Sequence, residues 1–323
     1  SFCARRLEMM SRAIFIILMF VVGSLVLAGC ATTTILVPVT RPAEINLKNF
    51  NKIAVGEIEG RGGADLADDL TDALVSSGRF EVLDRRHLDE ILREHDLSLS
   101  GYIDEATAVK VGKLVGAAVL VGGRVSVYKY EEKIERVETV DKKGIRHVSN
   151  TRVGRANISA NLQLTNLTTG RILTAKRFDR VAERRTYGYD RPPDEIDHDR
   201  LLAEARAIVV TDFMKKIAPY REMVRVKLLK DSDIPALEEG INWAKRGEWE
   251  RAAEVFKSAT KEYPRSDKAF YNLGVALEYS YLFPEAVEAL RQAYEINPDE
   301  QYQDEIANVR RMEAEQKRLQ EQE

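Results

Sequence analysis

Cysteine is nearly absent from this sequence, with two in 323 residues. A scaffold stapled by disulfides is excluded, because such folds concentrate cysteine in short chains. Four histidines leave little material for a metal centre. With only 19 glycines and 9 prolines, the chain is neither collagen-like nor low-complexity. No charge sign dominates: 49 Lys and Arg stand against 52 Asp and Glu, a net charge of −3. Bulk electrostatic attraction to nucleic acid is therefore not expected. What remains is an ordinary globular composition, 44% hydrophobic and 31% charged. At roughly 100–200 residues per domain, the length suggests two domains.

One long apolar run stands out. Arg5, Arg6 and Arg12 precede residues 13–28, AIFIILMFVVGSLVLA. The run is shorter than the ~20 residues of a membrane-spanning helix and has the positive flank of a secretory signal peptide. It ends in Leu27-Ala28-Gly29-Cys30, which resembles the lipobox of bacterial lipoproteins. That resemblance implies cleavage before Cys30, a lipoprotein signal peptide over 1–29, and acylation of the Cys30 thiol and new amino group. The alternative is a plain N-terminal membrane anchor with an incidental cysteine. Met10-Ser11-Arg12 reads as the natural start, with residues 1–9 an upstream extension. Removing 1–29 takes away three positive charges and one negative, leaving 46 and 51, net −5. Cys30 is then the only cysteine. Ala31 follows it, where an Asp would favour inner-membrane retention, so analogy with other lipoproteins points to the outer membrane. Acyl chains add about 0.8 kcal/mol of membrane affinity per buried CH₂.

Residues 30–50 read as the lipidated Cys and a tether, an extended strand or linker lying on the following domain. Residues 51–222 carry alternating strand and helix signals. Residues 52–56 form a short apolar strand leading into a Gly-rich loop. Leu66, Leu70, Ala73 and Leu74 then fall on one helical face, and Gly78 ends that helix. Residues 80–83 are a strand. Leu88, Ile91 and Leu92 mark a helix, and another begins near Asp104. Residues 116–122 are a buried strand that runs on toward Tyr130. Ile158, Ala160, Leu162 and Leu164 alternate with polar residues as a half-buried strand. Residues 166–170 make a hairpin turn, 172–178 return, and a helix spans 200–217.

The segments KIAVGEIEG, GRFEVLDRRHLDEILREHDL, ATAVKVGKLVGAAVLVGGRVS and NISANLQLTNLTTGRILTAKR resemble the family of the curli secretion lipoprotein CsgG. LpoB-type activators of peptidoglycan synthases are related to it. The resemblance covers about 52–178. It implies a three-layer α/β domain and, as an assembly open to it, a homo-oligomeric ring. In the secretion channel each of nine copies inserts two β-hairpins into a membrane barrel. The corresponding stretches here, 128–152 and 178–202, each hold twelve charged residues in 25. A charge on the lipid face costs about 2–4 kcal/mol at mid-membrane, and Pro192-Pro193 cannot sit inside a ladder. Both stretches are therefore expected to be solvent-exposed hairpins or loops.

A 34-residue period follows. Gly240 recurs as Gly274, Ala252 as Ala286, Phe256 as Leu290, Ala259 as Ala293 and Pro264 as Pro298. The pattern resembles the tetratricopeptide repeat and gives two repeats over 233–300, then a capping helix over 301–323. The expected fold class is a three-layer α/β (α+β) domain followed by an all-α repeat domain. Two repeats bury little core, so the module is expected to lean on the other domain or on a second copy. Helix positions that usually face a repeat groove include Lys245, Tyr271, Val275, Glu278 and Tyr279. They lack a basic clamp, so an apolar or aromatic peptide is the expected partner. The alternative is that Tyr271 and Tyr279 merely pack on the other domain.

Signals for chemistry are weak. Gly56, Gly60, Gly62 and Gly63 follow neither phosphate-loop spacing. Asp65, Asp68, Asp69 and Asp72 stripe one helix face, which is ordinarily solvated. The acidic stretch 194–199 lacks a calcium-loop spacing. His87 and His95 bring no third ligand. No catalytic, cofactor or metal residues are nominated, and no enzyme and no nucleic-acid partner are expected. The sequence reads best as a lipid-anchored periplasmic scaffold or oligomeric assembly component at the outer membrane, acting in envelope biogenesis or secretion, with the repeats recruiting a protein partner. The alternatives are a component of a curli-type secretion channel and an LpoB-like activator.

Overall fold

The computed structural model describes residues 32–83, 104–115 and 118–323. The elements are β1 (Thr32–Arg41), β2 (Lys52–Glu59), α1 (Gly63–Ser77), β3 (Glu81–Leu83), α2 (Glu105–Val115), β4 (Ala118–Val140), β5 (Arg146–Asn166), β6 (Ile172–Tyr189), α3 (His198–Ile217), β7 (Tyr220–Leu229), α4 (Pro235–Lys245), α5 (Trp249–Glu262), α6 (Asp267–Tyr279), α7 (Phe283–Ile296) and α8 (Glu300–Gln322). The signal-peptide run, Cys30, the helix around Leu88, Ile91 and Leu92, and His87 and His95 lie outside the described residues.

The chain divides into two compact units. One holds the described chain through Val39 with Arg221–Lys317; the other holds Thr40–Tyr220 and Arg318–Glu323.

The second unit is built on a five-stranded sheet in the order β3-β2-β4-β5-β6. β2 is parallel to β3 and β4, while β4-β5 and β5-β6 are antiparallel. The central strands are apolar on both faces, as a doubly covered sheet requires. Ile53, Val55, Val119 and Val121 point to one side, against Leu66, Leu70 and Leu74 of α1 and Leu201, Val209 and Phe213 of α3. Ala54, Ala118 and Leu120 point to the other, against Ala108 and Val111 of α2. The domain is thus three-layered. Gln322 and Ala43 exchange two hydrogen bonds of 2.8 and 2.9 Å within this unit.

The strands run past the apolar segments that mark them in the sequence. β4 continues to Val140, β5 begins at Arg146, and β6 extends to Tyr189. Residues 128–152 do form a hairpin. Residues 178–202 do not: they are the outer half of β6, a loop and the first turn of α3. Pro193 and Ile196 in that loop are buried, and the Thr186 hydroxyl donates to the Asp194 carbonyl at 2.5 Å. The loop therefore lies along the ribbon, where its prolines need no ladder partner.

The first unit contains two helix pairs, α4/α5 and α6/α7, then α8. Small residues let each pair close. A Cβ on Gly240 would sit 2.3 Å from the Phe256 ring, and one on Gly274 would sit 2.5 Å from Leu290. The stretch expected to be a tether holds β1, which joins β7 in a two-stranded sheet. Val37, Val226 and Leu228 of these strands share one core with Leu237, Phe256, Tyr271 and Leu290.

Candidate functional site

Beyond the helix-covered core, β4, β5 and β6 form a three-stranded ribbon in continuous register from Lys129↔Asn157↔Val181 to Val137↔Ser149↔Tyr189. Successive residues alternate between its faces. One face carries Tyr130, Glu132 and Arg152 and is overlain by the loop with Ile196. Tyr130 donates to Glu132 at 2.7 Å, and Arg152 pairs with the same carboxylate. Burial and then the Glu132 bond push the Tyr130 hydroxyl up to about 12. The Tyr130 bond in turn holds Glu132 below the ordinary carboxylate range, against a smaller desolvation effect.

The open face is a ladder of alternating charge. Lys129 pairs with Glu131 and Lys133 with Glu135 along β4. Glu183 on β6 accepts from Arg155 at 2.6 Å and from Arg185 at 2.9 Å. These bonds depress the carboxyls of Glu131, Glu135 and Glu183. At the tip, His147 Nδ1 lies 2.8 Å from Asp190, whose carboxyl that contact lowers. Ile134, Val137, Val140, Ile145, Tyr187 and Tyr189 near the tip are 53–64% exposed.

The Gly-rich loop serves packing. Gly60, at φ +92, brings its backbone where a Cβ would sit 2.3 Å from the Val125 carbonyl oxygen. The approach a phosphate would need is thus filled by β4. The aspartate stripe on α1 is not wholly solvated. Arg206 of α3 donates to Asp69 at 2.8 Å and to the Tyr128 hydroxyl at 2.8 Å, and lies 3.4 Å from Asp65. Asp68 and Asp72 face solvent. In the acidic loop, Asp197 caps α3 by accepting from the Arg200 backbone at 3.0 Å, and Asp194 pairs with Arg191. Among the described residues, no group of three or more His, Cys, Asp or Glu is placed to hold a metal ion, and no helix is long and apolar enough to cross a membrane.

The residues expected to line a repeat groove do not line one. Tyr271, Val275 and Glu278 are buried, Tyr279 is half-buried, and Lys245 alone is exposed. Tyr271 places its hydroxyl 3.1 Å from the Glu305 carboxylate of α8 and 3.3 Å from the Lys227 carbonyl of β7, two acceptors for its one proton. Burial, then Glu305, pushes its hydroxyl well above the ordinary value. Asn272 grips the end of β7 with two 2.8 Å bonds to the Leu229 backbone. Tyr279 stacks on Trp249 at 4.7 Å. Two helix pairs expose too much apolar face to remain open, and β7 and α8 cover it. The capping helix over 301–323 is legible in the sequence; the cover by β7 is not, because residues 220–229 lie outside the 34-residue period.

Residues 42–186 match the family model described as curli production assembly/transport component CsgG. Among solved structures, a PelC dodecamer from Paraburkholderia phytofirmans is 15% identical, covering 56% of this chain and 96% of that one, with a TM-score of 0.28. The LpoB C-terminal domain from Salmonella enterica is 13% identical, covering 40% and 81%, with a TM-score of 0.25. The lipoprotein GNA1162 from Neisseria meningitidis is 13% identical, covering 50% and 96%, with a TM-score of 0.29. No curated protein matches the chain.

Proposed function

We propose, from the premise that residues 42–186 are a CsgG-like domain, that this protein is a lipid-anchored scaffold of the cell envelope. It hangs from the outer membrane by acylated Cys30 on the periplasmic side, assembles through its CsgG-like domain and recruits a protein partner through its helical unit. It performs no catalysis.

The observation that carries this reading is the charge on the ribbon. Its open face bears Lys129, Glu131, Lys133, Arg155, Glu183 and Arg185 in paired rows. The other face bears Glu132 and Arg152. A ribbon whose open face is ionic and whose other face lies under the Ile196 loop has no apolar face of membrane length for hydrocarbon, where each exposed charge costs about 2–4 kcal/mol at mid-membrane. Water is its medium, so the ribbon serves contact with protein.

A secretion channel is the second reading. The ribbon's length favours it, since β4 runs 13 residues from Tyr128 to Val140 and a membrane strand needs about 9–11. Electron microscopy of the detergent-extracted full chain separates the two. Rings without a barrel, or small oligomers, support the scaffold; a detergent-belted barrel overturns it. Mass spectrometry of the same material tests the anchor, and an unmodified Cys30 in membrane-extracted protein would sink that part.

A further inference from the structure

Two features of the helical unit meet at one place. The first is a turn. Gly247 joins α4 to α5 at φ +79, and the equivalent residue 34 positions on is Tyr281, at φ +61. A tyrosine in the left-handed region crowds its own backbone, which a glycine avoids. Yet Tyr281 is 58% exposed and neighbouring Leu282 is 46% exposed. Tyr281 meets Phe283 edge-on at 6.1 Å and adds nothing to the buried core. A strained backbone that presents an exposed aromatic points to a contact outside the chain.

The second feature is a groove of about 580 Å³ whose lining includes Leu282, the residue next to Tyr281. Phe270, Leu273 and Leu277 of α6 line it with Ala253 of α5 and Ala289 of α7. Four exposed glutamates also line it, Glu250 and Glu254 from α5 and Glu285 and Glu288 from α7. Among the described residues, Glu250, Glu254 and Glu285 form no ion pair, and Glu288 meets only Arg291 at 3.8 Å. Glu250 and Glu285 sit in the first turns of their helices, where the helix dipole favours acid. That effect fades within one turn, so it does not account for Glu254 and Glu288. Lys257 and Gln292, each about one turn beyond Glu254 and Glu288 on their helices, complete the lining.

We propose that this groove docks an amphipathic helix from a partner protein. The helix lays an apolar stripe on Phe270, Leu273 and Leu277, places Lys or Arg between the four glutamates, and packs its end under Tyr281 and Leu282. Charge complementarity selects a basic segment, and Lys257 sets its direction. The N-terminus of the docked helix, the positive end of its dipole, lies toward the glutamates. This rests on the recruitment role proposed above and moves it from the buried residues around Tyr271 to an exposed face of the same helices.

The test uses the full chain and two synthetic 18-residue helices at about 0.15 M salt, where surface charges are screened beyond ~8 Å. One has leucines at i, i+3, i+4 and i+7 with lysine flanks; the other has glutamate for every lysine. Fluorescence anisotropy should show binding of the lysine helix alone. Glu254→Lys with Glu288→Lys should weaken it at least about tenfold, and Tyr281→Gly at least about fivefold. Tyr281→Gly should leave the melting temperature unchanged or raised, since glycine suits a positive φ. A purely structural tyrosine would instead show lower stability and unchanged binding. Equal binding of both helices, binding indifferent to these substitutions, or no binding of either overturns the groove. Particle shape and Cys30 acylation are read separately, so a chain that passes those and ignores both helices loses the groove and keeps the scaffold.

Discussion

The inner and outer halves of β4, β5 and β6 share one pleat and one register, yet different forces hold them. Inside, Val121, Leu162 and Leu164 are buried between helical layers. Each such side chain contributes about 1.5–3 kcal/mol by leaving water. Outside, the same strands carry paired ions at half exposure, and such pairs are worth about 0–1 kcal/mol each. Backbone hydrogen bonding continues through both halves. The inner half makes the domain stable. The outer half keeps its shape by ladder pairing, by cross-strand charge and, on one face, by Ala156 and Ala182 sharing a core with Ile196 of the loop, which leaves the other face free to be read by another molecule.

The sharpest way to break this contrast is one truncation in each half. Leu162→Ala leaves a cavity in the core and should cost about 2–5 kcal/mol, seen as a lower denaturation midpoint for the whole sheet domain. Ile134→Ala, more than half exposed on the outer ribbon, should stay within about 0.5 kcal/mol. Equal losses would mean that the ribbon is core in disguise.

Arg206 stands at the border and should give an intermediate effect. Its side chain is 14% exposed and joins α1 through Asp69 to β4 through Tyr128. Arg206→Met leaves these acceptors without their donor. The expected cost is about 1 kcal/mol, near the low end for a charged hydrogen bond because Asp65 and Asp69 reach solvent. Arg206→Lys should not restore it, since a compact ammonium lacks the spread of the guanidinium whose Nε reaches Asp69 while its Nη1 reaches Tyr128. Full rescue by lysine in a denaturation experiment would reduce the site to a point charge.

The same contrast explains what the sequence made legible. Apolar alternation located Ile158 to Leu164 and the helices α1 and α3, because burial writes a period into residue type. It ended β4 near Tyr130 and β6 near Phe178, ten or more residues early, because charged residues satisfied across strands leave no apolar period to find. The register explains them afterwards: Glu131, Arg155 and Glu183 lie directly opposite one another. The helical unit shows the converse. Its 34-residue spacing was plain, but the groove expected at Tyr271 and Val275 is filled by β7 and α8. Which face of a helix stays open depends on elements distant in sequence, and repeat spacing carries no record of them. Tyr281 stands 34 residues after Gly247, where the repeat spacing would place a second turn glycine. Its consequence, a positive φ on an exposed aromatic, required the backbone.

The gentlest test is acid. Hydrogen bonds from Lys129, Lys133 and Arg155, and from Tyr130 to Glu132, hold the carboxyls of Glu131, Glu135, Glu183 and Glu132 below their ordinary range. A carboxyl whose folded pKa lies below its unfolded value of about 4.3 stabilises the fold above that value. The contribution is lost as pH falls through the folded pKa. Hydrogen exchange, corrected for its intrinsic pH dependence, should therefore show residues 129–138, 149–157 and 181–187 losing protection as pH falls below the unfolded carboxyl value of about 4.3. Residues 118–125 and 160–166, where burial does the holding, should keep theirs. Glu132→Gln, which can still accept from Tyr130 but carries no charge, should flatten part of the ribbon's acid response while leaving the core's profile unchanged. If both halves lose protection together, ions do not hold the outer half, and the ribbon is only the overhang of a core that melts as one.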